Sequence, residues 1–259
     1  MEPSQKKTVK IKRQLTGRSF RLLDFHIFDQ KSETESDESS VGSGEKQYKP
    51  PEPSHFVIQM FGINEKGETA CIYVDNYKPF FYLRVGDDWT RKDVVELLHE
   101  LRSRVGKYHA ASVLSVELVD HYKLYGFSGG KKSQFAKITF KNTAAMNKVR
   151  GLWYTYLTEE ERKYSDNYRR LTPLVFKKLA LELYESTIPP LLRYFHIHNV
   201  SPSGWVFVNT GTAKTPGIKT TTCNYEYICD IRNIRALPEK ETRVPYKICS
   251  FDIEASSSH

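Results

Sequence analysis

Val244-Pro245-Tyr246-Lys247-Ile248-Cys249-Ser250-Phe251-Asp252-Ile253-Glu254 is an apolar run that closes on two carboxylates. Its β-branched and aromatic residues predict a strand. A strand this apolar is normally buried on both faces, inside a sheet covered by helices. Strand side chains alternate between faces, so Asp252 and Glu254 fall on the same one. Two carboxylates at one strand end repel each other unless a cation lies between them. Mg²⁺ or Mn²⁺ suits such oxygen ligands. Two ions about 4 Å apart would activate a water and stabilise the leaving oxygen in phosphodiester hydrolysis. Holding two ions takes several carboxylates, and only two stand here. A D-x-E pair alone is most often a solvated surface feature; the apolar strand ahead of it is what makes this one a candidate site. Residues 255–259 follow and supply no sheet, so the chain reads as a fragment whose last domain has barely begun.

Working back from that strand, residues 56–61, 70–74, 80–85, 114–119 and 135–140 are short runs of β-branched and aromatic residues bounded by turns, and predict strands. Residues 20–28, 204–208 and 224–231 read the same way. One helix is well marked: Thr90 caps it, Asp93 lies three residues on, and Val94, Leu97, Leu98, Leu101 and Val105 recur at helical spacing. Helices are also predicted over residues 144–156 and 174–183, and over 191–199 behind Pro189-Pro190. No internal repeat is visible. The fold class this predicts is α+β with strands dominating.

Lys and Arg number 39 against 31 acidic residues, a net charge of +8. A basic surplus favours an anionic partner, and nucleic acid is the commonest. The 16 Tyr and 14 Phe serve first as core of a β-rich fold and second as platforms on which bases could stack. Cys71, Cys223, Cys229 and Cys249 form no C-x-x-C pair and have no histidine partners for zinc. Cys71 and Cys249 sit in apolar, strand-like runs and predict reduced core thiols. Residues 1–14 are polar and basic, unlike a secretory signal, and no apolar run reaches the length of a membrane span. A soluble, intracellular protein that binds no membrane is therefore expected.

Four zones follow. Residues 1–30 are a basic arm running into a first strand. Residues 31–54, acidic and serine-rich, then rich in Gly and Pro, cannot bury enough apolar surface to order themselves and predict a disordered insertion between two strands. Residues 55–243 are globular and mixed. Residues 244–259 are the truncated start of a further domain.

At this point the residues carry a resemblance. Phe251-Asp252-Ile253-Glu254-Ala255 resembles the first exonuclease motif of B-family DNA polymerases, and residues 246–250 before it are similar in that family. Three upstream segments agree in order and spacing. They are Tyr77-Lys78-Pro79-Phe80-Phe81-Tyr82-Leu83; Tyr125-Gly126-Phe127 with Lys131 soon after; and Tyr184-Glu185-Ser186-Thr187-Ile188-Pro189-Pro190-Leu191-Leu192-Arg193-Tyr194-Phe195, followed by Ser203-Gly204-Trp205. The likeness covers roughly residues 55–259 and is greatest to the delta-type enzymes of eukaryotes and large DNA viruses. It implies a β-rich N-terminal template-binding domain with an OB-like element, followed by the first strand of an RNase H-like 3′→5′ exonuclease domain. It implies that Asp252 and Glu254 are catalytic metal ligands of a proofreading exonuclease, with Mg²⁺ or Mn²⁺ held only once further carboxylates join them. The parent it implies is a DNA-directed DNA polymerase of replication. Its partners would be template and primer DNA, single-stranded DNA, dNTPs and a processivity factor, at the nucleus or a viral replication site. The chain itself is expected to be inactive.

Other motifs are weaker. Ser128-Gly129-Gly130-Lys131-Lys132 reads as a hairpin turn before it reads as a phosphate contact, since P-loop spacing is missing. His196 and His198 fall on different faces of a helix, which speaks against a metal pair. Arg162, Lys163, Arg169, Arg170, Lys177 and Lys178 are a solvated face, or in a DNA-binding protein a surface that steers phosphates. The competing reading of the whole chain is a stand-alone single-stranded nucleic-acid-binding module without catalysis.

Overall fold

The computed structural model describes residues 16–31, 54–123, 129–165 and 167–254. Along the chain these form β1 (Gly17–Gln30), β2 (His55–Ile63), β3 (Thr69–Asp75), β4 (Phe80–Arg84), α1 (Arg91–Val105), α2 (Lys107–Ala110), β5 (Val113–Tyr122) and β6 (Lys132–Phe140). There follow α3 (Thr143–Arg150), β7 (Tyr154–Tyr156), α4 (Glu159–Arg162), β8 (Arg169–Leu171), β9 (Leu174–Phe176) and β10 (Leu179–Tyr184). The last elements are α5 (Pro190–His198), β11 (Trp205–Asn209), β12 (Tyr225–Asp230) and β13 (Ile234–Leu237). The fold is α+β and strand-rich. The basic arm of residues 1–15 and residues 32–53 of the acidic insertion lie outside the described residues; β1 and β2 flank that insertion.

The chain divides into two compact units, each built from separate stretches. One takes Met1–Phe25, Gln59–Val74 and His198–His259; the other takes His26–Ile58 and Asp75–Ile197.

In the second unit, β4-α1-β5-β6-α3-β10 alternates in the β-α-β-β-α-β order of ferredoxin-like folds, and its sheet runs β5-β6-β4-β10-β9. β6 pairs antiparallel with both β4 and β5. The reason for the layering is in the spacing. Along α1, Val94, Leu97, Leu101 and Val105 are buried. They meet Phe81, Leu83, Ile138 and Phe140 from one face of the sheet in a single apolar cluster that also takes in Met146 and Val149 of α3. Emptying Leu97 or Leu101 of that cluster would cost about 2–5 kcal/mol. Asp93 closes the start of α1, accepting from the Thr90 amide at 2.8 Å and its hydroxyl at 2.6 Å.

Helix α3 is capped twice. The buried Asn142 accepts from the Ala145 amide at 2.8 Å. Asp29, far away in sequence, accepts from the amides of Thr143 and Ala144 at 2.9 and 3.0 Å. The helix predicted over residues 144–156 is shorter than its spacing suggests: it ends at Arg150, a single 3-10 turn covers Gly151–Trp153, and the chain leaves as β7. The buried Trp153 side chain accounts for the break, since its indole N–H donates to the Leu181 carbonyl at 2.7 Å.

The helix predicted over residues 174–183 is replaced by the hairpin β9–β10, with Leu179 facing Phe176 across a two-residue turn. Lys177 and Lys178 both have positive φ, 48° and 66°. This is the pattern of a type I′ turn, whose twist matches that of the strands it joins. Leu174 and Leu181 are buried strand positions in the same apolar cluster.

In the first unit, β1 pairs with β11 from Gly17↔Asn209 to Arg21↔Trp205, and β11 pairs with β13. The wider sheet order is β12-β3-β2-β1-β11-β13. Phe20, Ala70, Cys71, Ile72, Val74, Trp205, Val206, Val208 and Cys229 are buried there.

Candidate metal-ligand pair

The approach to the carboxylates is set by Trp205. Its indole N–H donates to the Thr242 carbonyl at 3.2 Å. The Lys240 ammonium lies 4.3 Å from the ring centre and also pairs with Glu65 at 2.7 Å. Val244 packs beside Trp205 and Ile63 in a small apolar cluster of their own. Val244 is the last buried residue of the described chain. The strand that residues 244–254 predict is absent: this segment has no regular structure and pairs with no strand among the described residues. Phe251 and Ile253 are 79% and 77% exposed. Cys249, expected in a core, is exposed for the same reason, while Cys71 and Cys229 are buried as core thiols and burial pushes the Cys229 thiol up to about 12.

Asp252 and Glu254 are both exposed. Asp252 accepts from the Ile253 amide at 2.8 Å, a contact within its own turn of chain. Their oxygen chemistry fits a hard divalent ion. Their number does not: among the described residues no group of three or more His, Cys, Asp or Glu could hold a metal. Among the described residues the two carboxylates form a pair and not a centre.

Two of the upstream segments that carry the resemblance, residues 77–83 and 184–195, come together within the second unit. Tyr77 and Tyr194 meet edge to face at 5.6 Å, and the Tyr77 hydroxyl donates to the Pro190 carbonyl at 3.2 Å. Burial pushes the Tyr77 phenol up to about 12. Arg193 is buried. Its guanidinium carbon lies 4.6 Å from the Phe80 ring centre and 5.6 Å from that of Tyr82. It also bonds the Glu185 carboxylate at 2.6 Å and the Glu185 carbonyl at 2.8 Å. Tyr77-Lys78-Pro79-Phe80 and the Pro-Pro segment are thus two sides of one packed interface, and β4 of the first is held by β6. Residues 125–127 lie outside the described residues.

The glycines of the Gly129-Gly130 turn take φ of 57° and 74° in the connection from β5 to β6. Among the described residues the glycines lead into β6 and not into a helix N-terminus that could receive a phosphate. His196 is exposed, His198 is half-buried with its imidazole pKa lowered by burial, and neither belongs to a metal-ligand group. In the basic cluster, Lys177 is taken up by Asp93 and Glu96 at 2.6 and 2.5 Å, and Arg170 by Glu161 at 3.0 Å. The hydrogen bonds from Lys177 and Thr90 hold the Asp93 carboxyl well below the usual carboxylate range.

Residues 181–259, which include both carboxylates, match the family model of the DNA polymerase family B exonuclease domain. Over most of its length the chain is similar to family B DNA polymerases. It is 40% identical over 245 residues to the DNA polymerase of Phaeocystis pouchetii virus, a match covering 93% of this chain and 22% of that protein. It is 27% identical to the DNA polymerase of Pyramimonas orientalis virus, over 92% of this chain and 17% of that one. To the DNA polymerase delta catalytic subunit of Arabidopsis thaliana it is 24% identical, over 77% and 18%. The chain spans about a fifth of the length of these relatives. Exonuclease domains of family B depend in general on divalent metal.

Proposed function

We propose that this chain is the N-terminal part of a replicative DNA-directed DNA polymerase with 3′→5′ proofreading exonuclease, and that Asp252 and Glu254 are two of the exonuclease metal ligands. The observation that carries this is the placement of both carboxylates inside the segment matched by the exonuclease model, in a chain 40% identical to a viral DNA polymerase. A bound Mg²⁺ or Mn²⁺ would supply an activated water and charge neutralisation at the scissile phosphate. Asp252 and Glu254 would hold it together with carboxylates from beyond residue 259. Template and primer DNA and, for synthesis, dNTPs are the substrates this reading assigns, in the nucleus or at a viral replication site. Among the described residues no helix is long and apolar enough to cross a membrane.

The test is to read the coding sequence past the codon for His259 and express the product. An open frame with further acidic motifs, whose protein trims a mispaired 3′ end and loses only that trimming in Asp252→Ala/Glu254→Ala, supports the assignment. A stop codon at that point, or trimming untouched by the double change, refutes it.

A further inference from the structure

Residues 238–244 leave β13 as turn and irregular backbone, yet the first unit holds them at every second step. The Lys240 amide donates to the Leu237 carbonyl at 3.1 Å, and its ammonium meets Glu65 and the Trp205 ring. Thr242 gives its carbonyl to the Trp205 indole. Val244 is buried against Trp205 and Ile63. Pro245 then rests on the turn between β2 and β3, where a Cβ added to Gly67 would come within 3.2 Å of its ring. The Tyr246 amide donates back to the Val244 carbonyl at 3.0 Å, a three-residue turn centred on Pro245.

These contacts converge on Trp205. It lies on β11 between Arg21 of β1 and Leu237 of β13, so two neighbouring strands set its position. A buried indole needs an acceptor for its N–H. Here the acceptor is irregular chain two residues before the last buried side chain, and not the sheet. Pro245 has no N–H to give to a ladder, so strand pairing starts beyond it. From there an extended chain places Tyr246, Ile248, Ser250, Asp252 and Glu254 on one face. A slip of one residue in the pairing turns both carboxylates to the other face.

We propose that Trp205 is a positioning residue for Asp252 and Glu254. Together with Lys240 and Val244 it fixes the point at which the carboxylate-bearing segment leaves the first unit, and through that the register in which the segment enters a catalytic sheet. The inference rests on the reading of Asp252 and Glu254 as exonuclease metal ligands. Trp205 touches neither carboxylate; it acts through residues 240–244.

The test has two arms. In the first, the 259-residue chain is digested briefly with trypsin, and cleavage after Arg243 is measured by mass spectrometry against cleavage after Lys247, which lies beyond the held residues. Trp205→Phe keeps an apolar ring and loses only the N–H; it is expected to raise the Arg243 cut roughly fivefold, the effect of one hydrogen bond on local opening. Trp205→Ala should raise it further, with thermal unfolding checking that the fold is kept. In the second arm, the protein read from the frame past His259 is assayed for trimming of a mispaired 3′ end and for primer extension. Trp205→Phe is expected to lower the maximal trimming rate roughly ten- to 100-fold, as a displacement of about 1 Å at a reacting centre does. The DNA concentration at half-maximal rate and the extension rate should stay within about twofold of the parent, whereas a merely structural role would lower extension and trimming together. An Arg243 cut unchanged in Trp205→Ala overturns the proposal. Parent-like trimming in Trp205→Phe, in a protein that Asp252→Ala/Glu254→Ala inactivates, overturns the proposal alone. Trimming untouched by that double change, or a stop codon after His259, removes the metal-ligand reading and the proposal with it.

Discussion

Asn142 joins three parts of the second unit, and replacing it should be costly in a graded way. Its Oδ1 takes the Ala145 amide at 2.8 Å, and its Nδ2 gives a hydrogen bond to the Ser54 carbonyl at 2.7 Å, with the Ser54 and Ser112 hydroxyls at 3.3 Å. Asn142→Ala removes the cap, a loss of about 1 kcal/mol. It also removes the amide from a buried carbonyl, about 1 kcal/mol more, with a further fraction for the polar atoms left without partners. The sum is about 2–3 kcal/mol, or about 5–10 °C in Tm for a chain of this size. Asn142→Ser keeps a capping oxygen and loses only the reach to Ser54, so it should cost about half as much. The assay is urea and thermal unfolding followed by tryptophan fluorescence, which reports on the second unit through Trp89 and Trp153. Two results would refute the reasoning: Asn142→Ala within about 0.5 kcal/mol of the parent, or Asn142→Ser as damaging as Asn142→Ala.

Two further outcomes are expected. Glu226 is buried, which disfavours its charge, yet hydrogen bonds from the Thr221 hydroxyl and amide at 2.5 Å and the Thr220 amide at 3.1 Å outweigh this and hold its carboxyl below the usual range. Its contribution is therefore complete above the ordinary glutamate value and disappears as pH falls through the lowered one; Tm measured from pH 6 to pH 3 should fall more steeply in the parent than in Glu226→Gln, and parallel curves would disprove it. Lys178 holds φ 66° in the β9–β10 turn, a region that strains side chains with a Cβ, so Lys178→Gly should raise stability by about 0.5–1 kcal/mol, and a lowered urea midpoint would show that the turn is not the limiting strain.

How much of this was legible depends on how local each cause is. The Thr90–Asp93 cap and the Val94–Leu101 spacing act within a few residues, and α1 lies where they place it. The Pro189-Pro190 start of α5 is equally local. Trp153 is different: it stops a helical pattern because Leu181 offers a carbonyl 28 residues away. Nothing near residue 150 announces that partner. The Asp29 cap of α3 lies 114 residues from Thr143 and is likewise invisible along the chain. Lys177-Lys178 hides a hairpin because lysine is not a residue whose presence signals positive φ; the ion pairs of Lys177 with Asp93 and Glu96 help hold it there. At the candidate site the carboxylates were legible as a pair and as a family motif. The strand beneath them was not realised, because a strand buried on both faces needs neighbours that the described residues do not provide.

The clasp of Lys240, Thr242 and Val244 around Trp205 and Ile63 has a geometric consequence for the two carboxylates. Eight residues separate Val244 from Asp252, and an extended chain covers at most roughly 29 Å in that many steps. The pair is thus kept on a leash: wherever residues 245–254 go, Asp252 stays within that radius of the Trp205 sheet. A sphere of this radius corresponds to a local concentration of the pair on the order of ten millimolar toward any acidic pocket beside it. An acidic pocket beside the first unit would then meet the pair as an intramolecular partner and not by free diffusion.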